Sequence, residues 1–419
     1  MKRRDFIQKA SGAVAAGLTN TELYTQVHRS MEKTPGNTSF DVIVIGVGSM
    51  GASACYHLSK RGYRVLGLEQ YDIPHELGSH AGQSRIIRKA YGEDSGYVPL
   101  LERAYENWKT LESETGSQVY FQTGLTYFGT RGNTFLETVR KSAKAYHIPL
   151  NELSEEDCRK KYPQFKLPEH FQRLEEPGAG LLTPERCILL LAEQALMRGA
   201  VIRSGEPVLS WEHKDRGVVV QTSRETYRAA KLVVTAGAWT GKLLPGMASR
   251  LKVTRQALAW VQPRDWDLFK LGTFPCWLLE HEGYDFYGFP ILPAGSYGGP
   301  LGMKLALHYP GEVVDDPEKV DRSTQQSDER ALVDFLKRFI PEGYARILAV
   351  KTCLYTYSPD THFVVDHMAG YGKDVVVAAG FSGHGFKFAS VIGEILAELT
   401  MEGTTHMPVG FLRADRFDP

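Results

Sequence analysis

Gly46-Val47-Gly48-Ser49-Met50-Gly51 stands between the β-branched apolar run Val42 to Ile45 and a stretch of helical pattern that closes at Gly62. Glycines at this spacing have defined uses. Gly46 permits a tight turn, Gly48 lets the backbone approach a pyrophosphate, and Gly51 lets the helix pack on the strand. Glu69 follows 23 residues after Gly46, at the end of a second strand pattern, Arg64 to Leu68. A carboxylate there accepts both hydroxyls of an adenosine ribose, which favours FAD or NAD over a 2′-phosphorylated cofactor.

Further along, Arg85 and Arg88 end the small-residue loop that begins at Ile73. Small residues let such a loop lie against a flat cofactor, and an arginine fork takes a carboxylate in two parallel hydrogen bonds. On a helical turn this spacing puts both guanidiniums on one side; by themselves the residues read more simply as the exposed basic start of a helix. Lys304 and His308 bracket an apolar strand's worth of residues, by pattern a strand with a polar residue at each end. Gly380-Phe-Ser-Gly383-His-Gly385-Phe-Lys387 lies between the buried run Val375 to Ala379 and a helix from about Phe388 to Leu399. That arrangement points a helix N-terminus, with its partial positive charge, at something anionic, such as the N1/O2 edge of a reduced flavin.

The elements that must position these residues come from separated parts of the chain. Val98 to Leu111 carries an apolar helical face, Thr183-Pro184 opens a helix through Met197, and Leu232 to Trp239 is a buried strand closing on small residues. Val253 to Val261 and the aromatic-rich Cys276 to Tyr287 alternate as strands of an antiparallel sheet, and Asp315 to Phe339 reads as a charged surface helix. The fold class is α/β. A Rossmann-like FAD-binding domain is assembled from discontinuous segments, 41–118, 183–240 and 350–419, with 119–182 and 241–349 forming an antiparallel-sheet substrate domain. An NAD-type domain would be contiguous.

The 419 residues carry 49 basic and 49 acidic side chains, so no net field favours nucleic acid or an anionic membrane. Five cysteines at scattered spacings include no CxxC pair, so no metal site is expected; Cys55 and Cys187 read as small core residues. Residues 1–40 read as an export signal and linker. Arg3-Arg4-Asp5-Phe6-Ile7 followed by the mildly apolar Ala10 to Leu18 resembles a twin-arginine signal and is far too short for a membrane span. The expected location is the periplasm or beyond, and otherwise the cytoplasm.

Taken together, the first βαβ unit, Arg85-Ile-Ile-Arg88-Lys-Ala-Tyr-Gly-Glu, Tyr287-Gly-Phe-Pro290, Gly302-x-Lys304 with His308, Cys353-x-Tyr355-Thr, His362-Phe with Asp366, and the Gly380 to Lys387 loop resemble the monomeric sarcosine oxidase and N-methyltryptophan oxidase family, in order from Asp41 to Leu399. The resemblance implies FAD held by a thioether from Cys353 to the flavin 8-methyl. It implies oxidation of a secondary amine to an imine, which hydrolyses to aldehyde and amine, with O₂ reduced to hydrogen peroxide. Arg88 and Lys387 correspond to the residues that hold the substrate carboxylate, Tyr287 and His308 to side chains beside the bound amine, and Lys304 to the lysine near flavin N5 that promotes oxygen reduction. It also implies a monomer whose partners are an amino-acid substrate and oxygen.

Hydride transfer needs a neutral amine and a positioned C–H more than a catalytic base, so no essential acid–base dyad is expected. Two departures from the family pattern stand out: Ala81 where the family usually has histidine, with His80 one place earlier, and a longer segment between Pro290 and Lys304. Cyclic or glycated amines therefore stay open as substrates, as does a dehydrogenase that passes electrons to a carrier.

Overall fold

Strands β1 (Ser39–Ile45) and β2 (Val65–Leu68) pair in parallel, Val42 with Val65 through Ile45 with Leu68. Both are buried on two faces along that register, as their β-branched and leucine content requires. The computed structural model describes residues 38–214, 217–293, 299–308 and 311–417. Phe40–Pro419 is a compact unit of its own.

β1 and β2 belong to an eight-stranded sheet of order β10-β11-β12-β1-β2-β9, with β19 joined to β12 and β18 to β19. Its other strands are β9 (Val201–Arg203), β10 (Val208–Lys214), β11 (Gly217–Thr222), β12 (Thr226–Val234), β18 (Val364–His367) and β19 (Val375–Ala379). Three distant parts of the chain thus build one sheet, as the split strand pattern predicts. On one side, the helix Ser49–Lys60 packs against Pro184–Met197 and Ala389–Glu402, and Ala389–Glu402 also packs on Val98–Thr115.

A second eight-stranded sheet runs β17-β13-β16-β15-β14-β5-β7-β6. It comprises β5 (Leu125–Gly129), β6 (Asn151–Glu152), β7 (Gln172–Glu176), β13 (Lys252–Gln262), β14 (Cys276–His281), β15 (Tyr284–Gly288), β16 (Met303–His308) and β17 (Arg346–Tyr357). It is antiparallel as expected except at one join, where β14 runs parallel to β5. A small third sheet sets β3 (Arg85–Ile87) and β4 (Tyr120–Phe121) on either side of β8 (Gly180–Leu182).

Three local expectations change. Cys276 to Tyr287 is two strands: Glu282 and Gly283 both have positive φ, +54° and +81°, the backbone of a tight two-residue hairpin turn. Arg85 lies on a strand rather than a helical turn, because Ile86 and Ile87 pair with Leu181 and Gly180. In the charged stretch from Asp315 only Gln326–Phe339 is helical; Gln325 and Asp328 form its capping box, and Leu332, Phe335, Leu336 and Phe339 bury its apolar face. No described helix is long and apolar enough to cross a membrane. The twin-arginine motif lies outside the described residues, as do residues 294–298 of the longer loop.

Candidate active site

At the end of β1 the chain turns at Gly46 with φ +88°, and a Cβ on Gly51 would fall 1.8 Å from the Gly46 carbonyl oxygen. Thr235, just past β12, donates from Oγ1 to that carbonyl at 2.7 Å and clamps the turn to the neighbouring strand end. The first turn of Ser49–Lys60 contains no acidic residue, so its free amides and partial positive charge are left for an anion. Glu69 is buried beside it and accepts from the backbone N–H groups of Val47 at 2.9 Å and Tyr71 at 3.1 Å. Burial raises its carboxyl, and these amides act in the opposite direction. About half of a carboxylate's acceptor sites stay available for ribose hydroxyls.

His80 lines the cavity, buried with its ring against Gly48, and its Nε2 has no hydrogen-bond partner among the described residues. Ala81 is buried and is not on the cavity lining, its carbonyl accepting from Arg85 Nη2 at 2.5 Å. A glycine cradle with no room for a Cβ, a ribose-side carboxylate and an orphaned buried imidazole nitrogen fit a flavin adenine dinucleotide.

One cavity runs from this cradle to the second sheet, about 2100 Å³ including its open mouth. Gly46, Gly48 and Glu69 line it, and so do Arg88, Tyr287, His308, Gly383, Gly385 and Lys387. Gly383, at φ +82°, lies so close to Tyr355 and His308 that a Cβ would come within 2.5 and 2.8 Å of their rings. Gly51, Lys304 and Cys353 are not on the lining.

Arg88 is 4% exposed and gives its Nη2 to both oxygens of Glu93, at 2.7 and 2.5 Å, and its Nη1 to the Ala90 carbonyl at 3.0 Å. Its guanidinium lies 4.3 Å from the Tyr91 ring centroid. Burial pushes Glu93 up, yet Arg88, His384 and Lys387 outweigh it and hold the carboxyl down at about 2. Lys387 Nζ donates to the His384 carbonyl at 2.6 Å; burial, with Arg88 alongside, lowers its ammonium to about 7. His384 faces the Thr361 carbonyl with Nε2, so Nε2 carries the proton and Nδ1 accepts from Tyr91 Oη at 2.7 Å. His308 is lowered to about 4 by burial and is neutral near pH 7. The hydroxyls of Tyr287 and Tyr355 meet at 3.4 Å.

Behind this wall, Lys304 Nζ donates to the Ser84 carbonyl at 2.6 Å and sits 4.6 Å from the Phe289 ring centroid. Burial and the neighbouring Arg85 push its ammonium well below the ordinary lysine value. Arg85 lines the cavity as well, and its guanidinium donates to loop carbonyls, those of Ser79, Ala81 and Ser84. Cys353 is fully buried on β17 opposite Gln256; burial raises its thiol, while Arg85, Lys304 and Arg322 favour the thiolate. Among the described residues no group of side chains could hold a metal ion.

Sequence reasoning did not single out Glu93, Tyr91, His384 or Asp285. Glu93 and Tyr91 lay within the quoted Arg88-Lys-Ala-Tyr-Gly-Glu motif, and His384 within the glycine loop; nothing in the local sequence marks Asp285.

A family model described as FAD dependent oxidoreductase matches residues 41–399. The monomeric sarcosine oxidase of Streptomyces avermitilis is 39% identical over 91% of this chain and 97% of its own. The N-methyl-L-tryptophan oxidase of Yersinia pestis is 33% identical over 90% and 99%. The fold is shared with NikD, an amino acid oxidase of nikkomycin biosynthesis, at a TM-score of 0.79 and 24% identity over 90% of this chain and 98% of that one. With the glycine cradle, Glu69 and the split parallel sheet in place, the match over nearly the whole described chain makes this protein a member of the FAD-dependent oxidoreductase family.

Proposed function

We propose that the protein oxidises N-methylated amino acids and related secondary amines with oxygen as acceptor. The observation that carries this reading is the single cavity that joins the glycine cradle and Glu69 to Arg88, Lys387, Tyr287 and His308. FAD, when bound, supplies the two-electron acceptor. Arg88, always charged, and Lys387 take the substrate carboxylate, the first as a fork and the second as a point charge. Neutral His308 and the Tyr287–Tyr355 hydroxyl pair flank the amine without adding charge, which favours its neutral form. The amine gives up a hydride from carbon and a proton from nitrogen; water hydrolyses the imine to aldehyde and amine; oxygen takes up two electrons and two protons and leaves as hydrogen peroxide. Lys304, in its charged form, would support the oxygen step as a buried cation, and Cys353 would hold the flavin through a thioether. Segments 41–118, 183–240 and 350–419 hold the cofactor; 119–182 and 241–349 hold the substrate. The enzyme acts as a monomer, exported by the twin-arginine motif of residues 1–40.

The test is a peroxide assay on holoenzyme across N-methyl amino acids, with acid denaturation and a peptide map alongside. Peroxide formation and yellow colour on the peptide containing Cys353 are expected. Turnover only with an added electron carrier would make the protein a dehydrogenase, and free FAD after acid would return Cys353 to an ordinary buried thiol.

A further inference from the structure

The strand register places Glu280, Asp285 and His308 directly side by side on neighbouring strands, Glu280 opposite Asp285 between β14 and β15, and Asp285 opposite His308 between β15 and β16. All three line the cavity. The adjacent row on the same face is Leu278 opposite Tyr287 and Tyr287 opposite Ala306, apolar except for the Tyr287 hydroxyl, which meets that of Tyr355. Phe135 and Leu136, at the start of the helix Thr134–Ala145, face the same space, so the cavity continues past the carboxylate-binding pair along an apolar wall.

The two acids in the row differ in their attachments. Glu280 is fully engaged: Oε1 accepts from the Gly283 amide at 2.9 Å, and Oε2 from Asn133 Nδ2 at 3.1 Å, which ties the hairpin to the helix cap. The half-buried Asp285 carboxyl has no hydrogen bond or ion pair among the described residues. Its surroundings include Glu280 and Glu93, and Arg88, the cation among the described residues that offsets them, is already bound to Glu93. A lone carboxylate at the end of an apolar channel, with like charges behind it, lacks a cation.

We propose that Asp285 is the specificity residue for the substrate's side chain, and that the preferred substrate is an N-methyl amino acid whose apolar side-chain stem ends in a cationic group. This rests on the amine-oxidase reading. The substrate carboxylate occupies Arg88 and Lys387, the stem lies along Leu278 and Phe135, and the ammonium or guanidinium head meets Asp285. Supporting this, burial, followed by Glu280 and Glu93, raises the free carboxyl to about 6, a shift that a bound cation would reverse.

The experiment compares kcat/KM of holoenzyme for Nα-methyl-lysine and for its neutral isostere, the N-methyl derivative of 2-aminoheptanoate, in the wild type and in Asp285→Asn and Asp285→Lys, with Nα-methyl-glutamate as a third substrate and flavin content checked by the visible spectrum. The expected wild-type ratio favours the cationic substrate by about tenfold or more. It collapses towards one in Asp285→Asn, and Asp285→Lys prefers Nα-methyl-glutamate to Nα-methyl-lysine. A wild-type ratio near one, a ratio that survives Asp285→Asn, or equal losses on both substrates, as a role at the reacting amine would give, overturns the proposal. Flavin-loaded enzyme that oxidises none of these amines overturns the amine-oxidase reading and the inference with it; oxidation without charge preference overturns the inference alone.

Discussion

Arg88 and Glu93, five residues apart, are locked together through one guanidinium nitrogen that reaches both carboxylate oxygens, at 2.7 and 2.5 Å. A carboxylate of the protein thus occupies the fork assigned to the carboxylate of the substrate. Any incoming anion competes with Glu93 for Arg88, and its net affinity is the difference between the two pairings.

Glu93→Gln removes the competitor. Steady-state kinetics should show KM for N-methyl amino acids falling several-fold, with thermal stability falling too, because an unpaired buried guanidinium costs about 3–5 kcal/mol. An unchanged KM in a variant that still folds would mean that Arg88 does not receive the substrate carboxylate.

Lys387 gives a pH signature. Its ammonium, lowered to about 7 by burial, is charged below that pH and neutral above it. Binding of a simple carboxylate inhibitor to the free enzyme should therefore weaken as pH rises from 6 to 9, and the limb should vanish in Lys387→Met. A flat binding profile in the wild type would remove Lys387 from the anion site.

Lys304→Gln keeps a donor for the Ser84 carbonyl and deletes the charge. Stopped-flow measurement should show substrate reduction of the flavin nearly intact and reoxidation by oxygen slowed by roughly 10²-fold or more. Because burial lowers this ammonium, wild-type reoxidation should decline as pH rises through the lowered value. A reoxidation rate unaffected by the substitution would leave Lys304 as a loop brace.

Gly51→Ala tests the cradle. A Cβ placed 1.8 Å from the Gly46 carbonyl forces the helix Ser49–Lys60 away from the turn. Purified variant should carry little FAD and melt several degrees lower; full flavin content at wild-type stability would show that the turn can relax.

Much of this was legible because it is local. The alternation of β-branched strand, glycine turn and helix is set by neighbours within about thirty residues, so Gly46, Gly51 and Glu69 fall where their spacing puts them. Arg85 shows the limit. Its helical reading used i,i+3 spacing, but pairing with Leu182, far along the chain, fixed an extended backbone and turned its guanidinium onto loop carbonyls. Cys276 to Tyr287 was readable as strand and not as hairpin, because Glu282-Gly283 is a weaker turn signal than Asn-Gly. Asp285 was invisible: a single acid in a strand acquires meaning only from Glu280 and His308, which register, not sequence distance, brings beside it.

The split sheet also sets a timetable. β12 pairs with β19, and Ser49–Lys60 leans on Ala389–Glu402, so the wall of the cradle is finished only when the last quarter of the chain has been made. During synthesis the glycine turn waits, with its sheet open on one side, for partners more than 300 residues away. Such long-range closure is slow and exposes a strand edge while it lasts. Chains interrupted before Val375 should be chaperone clients that never turn yellow, and flavin capture should mark the end of folding rather than its start.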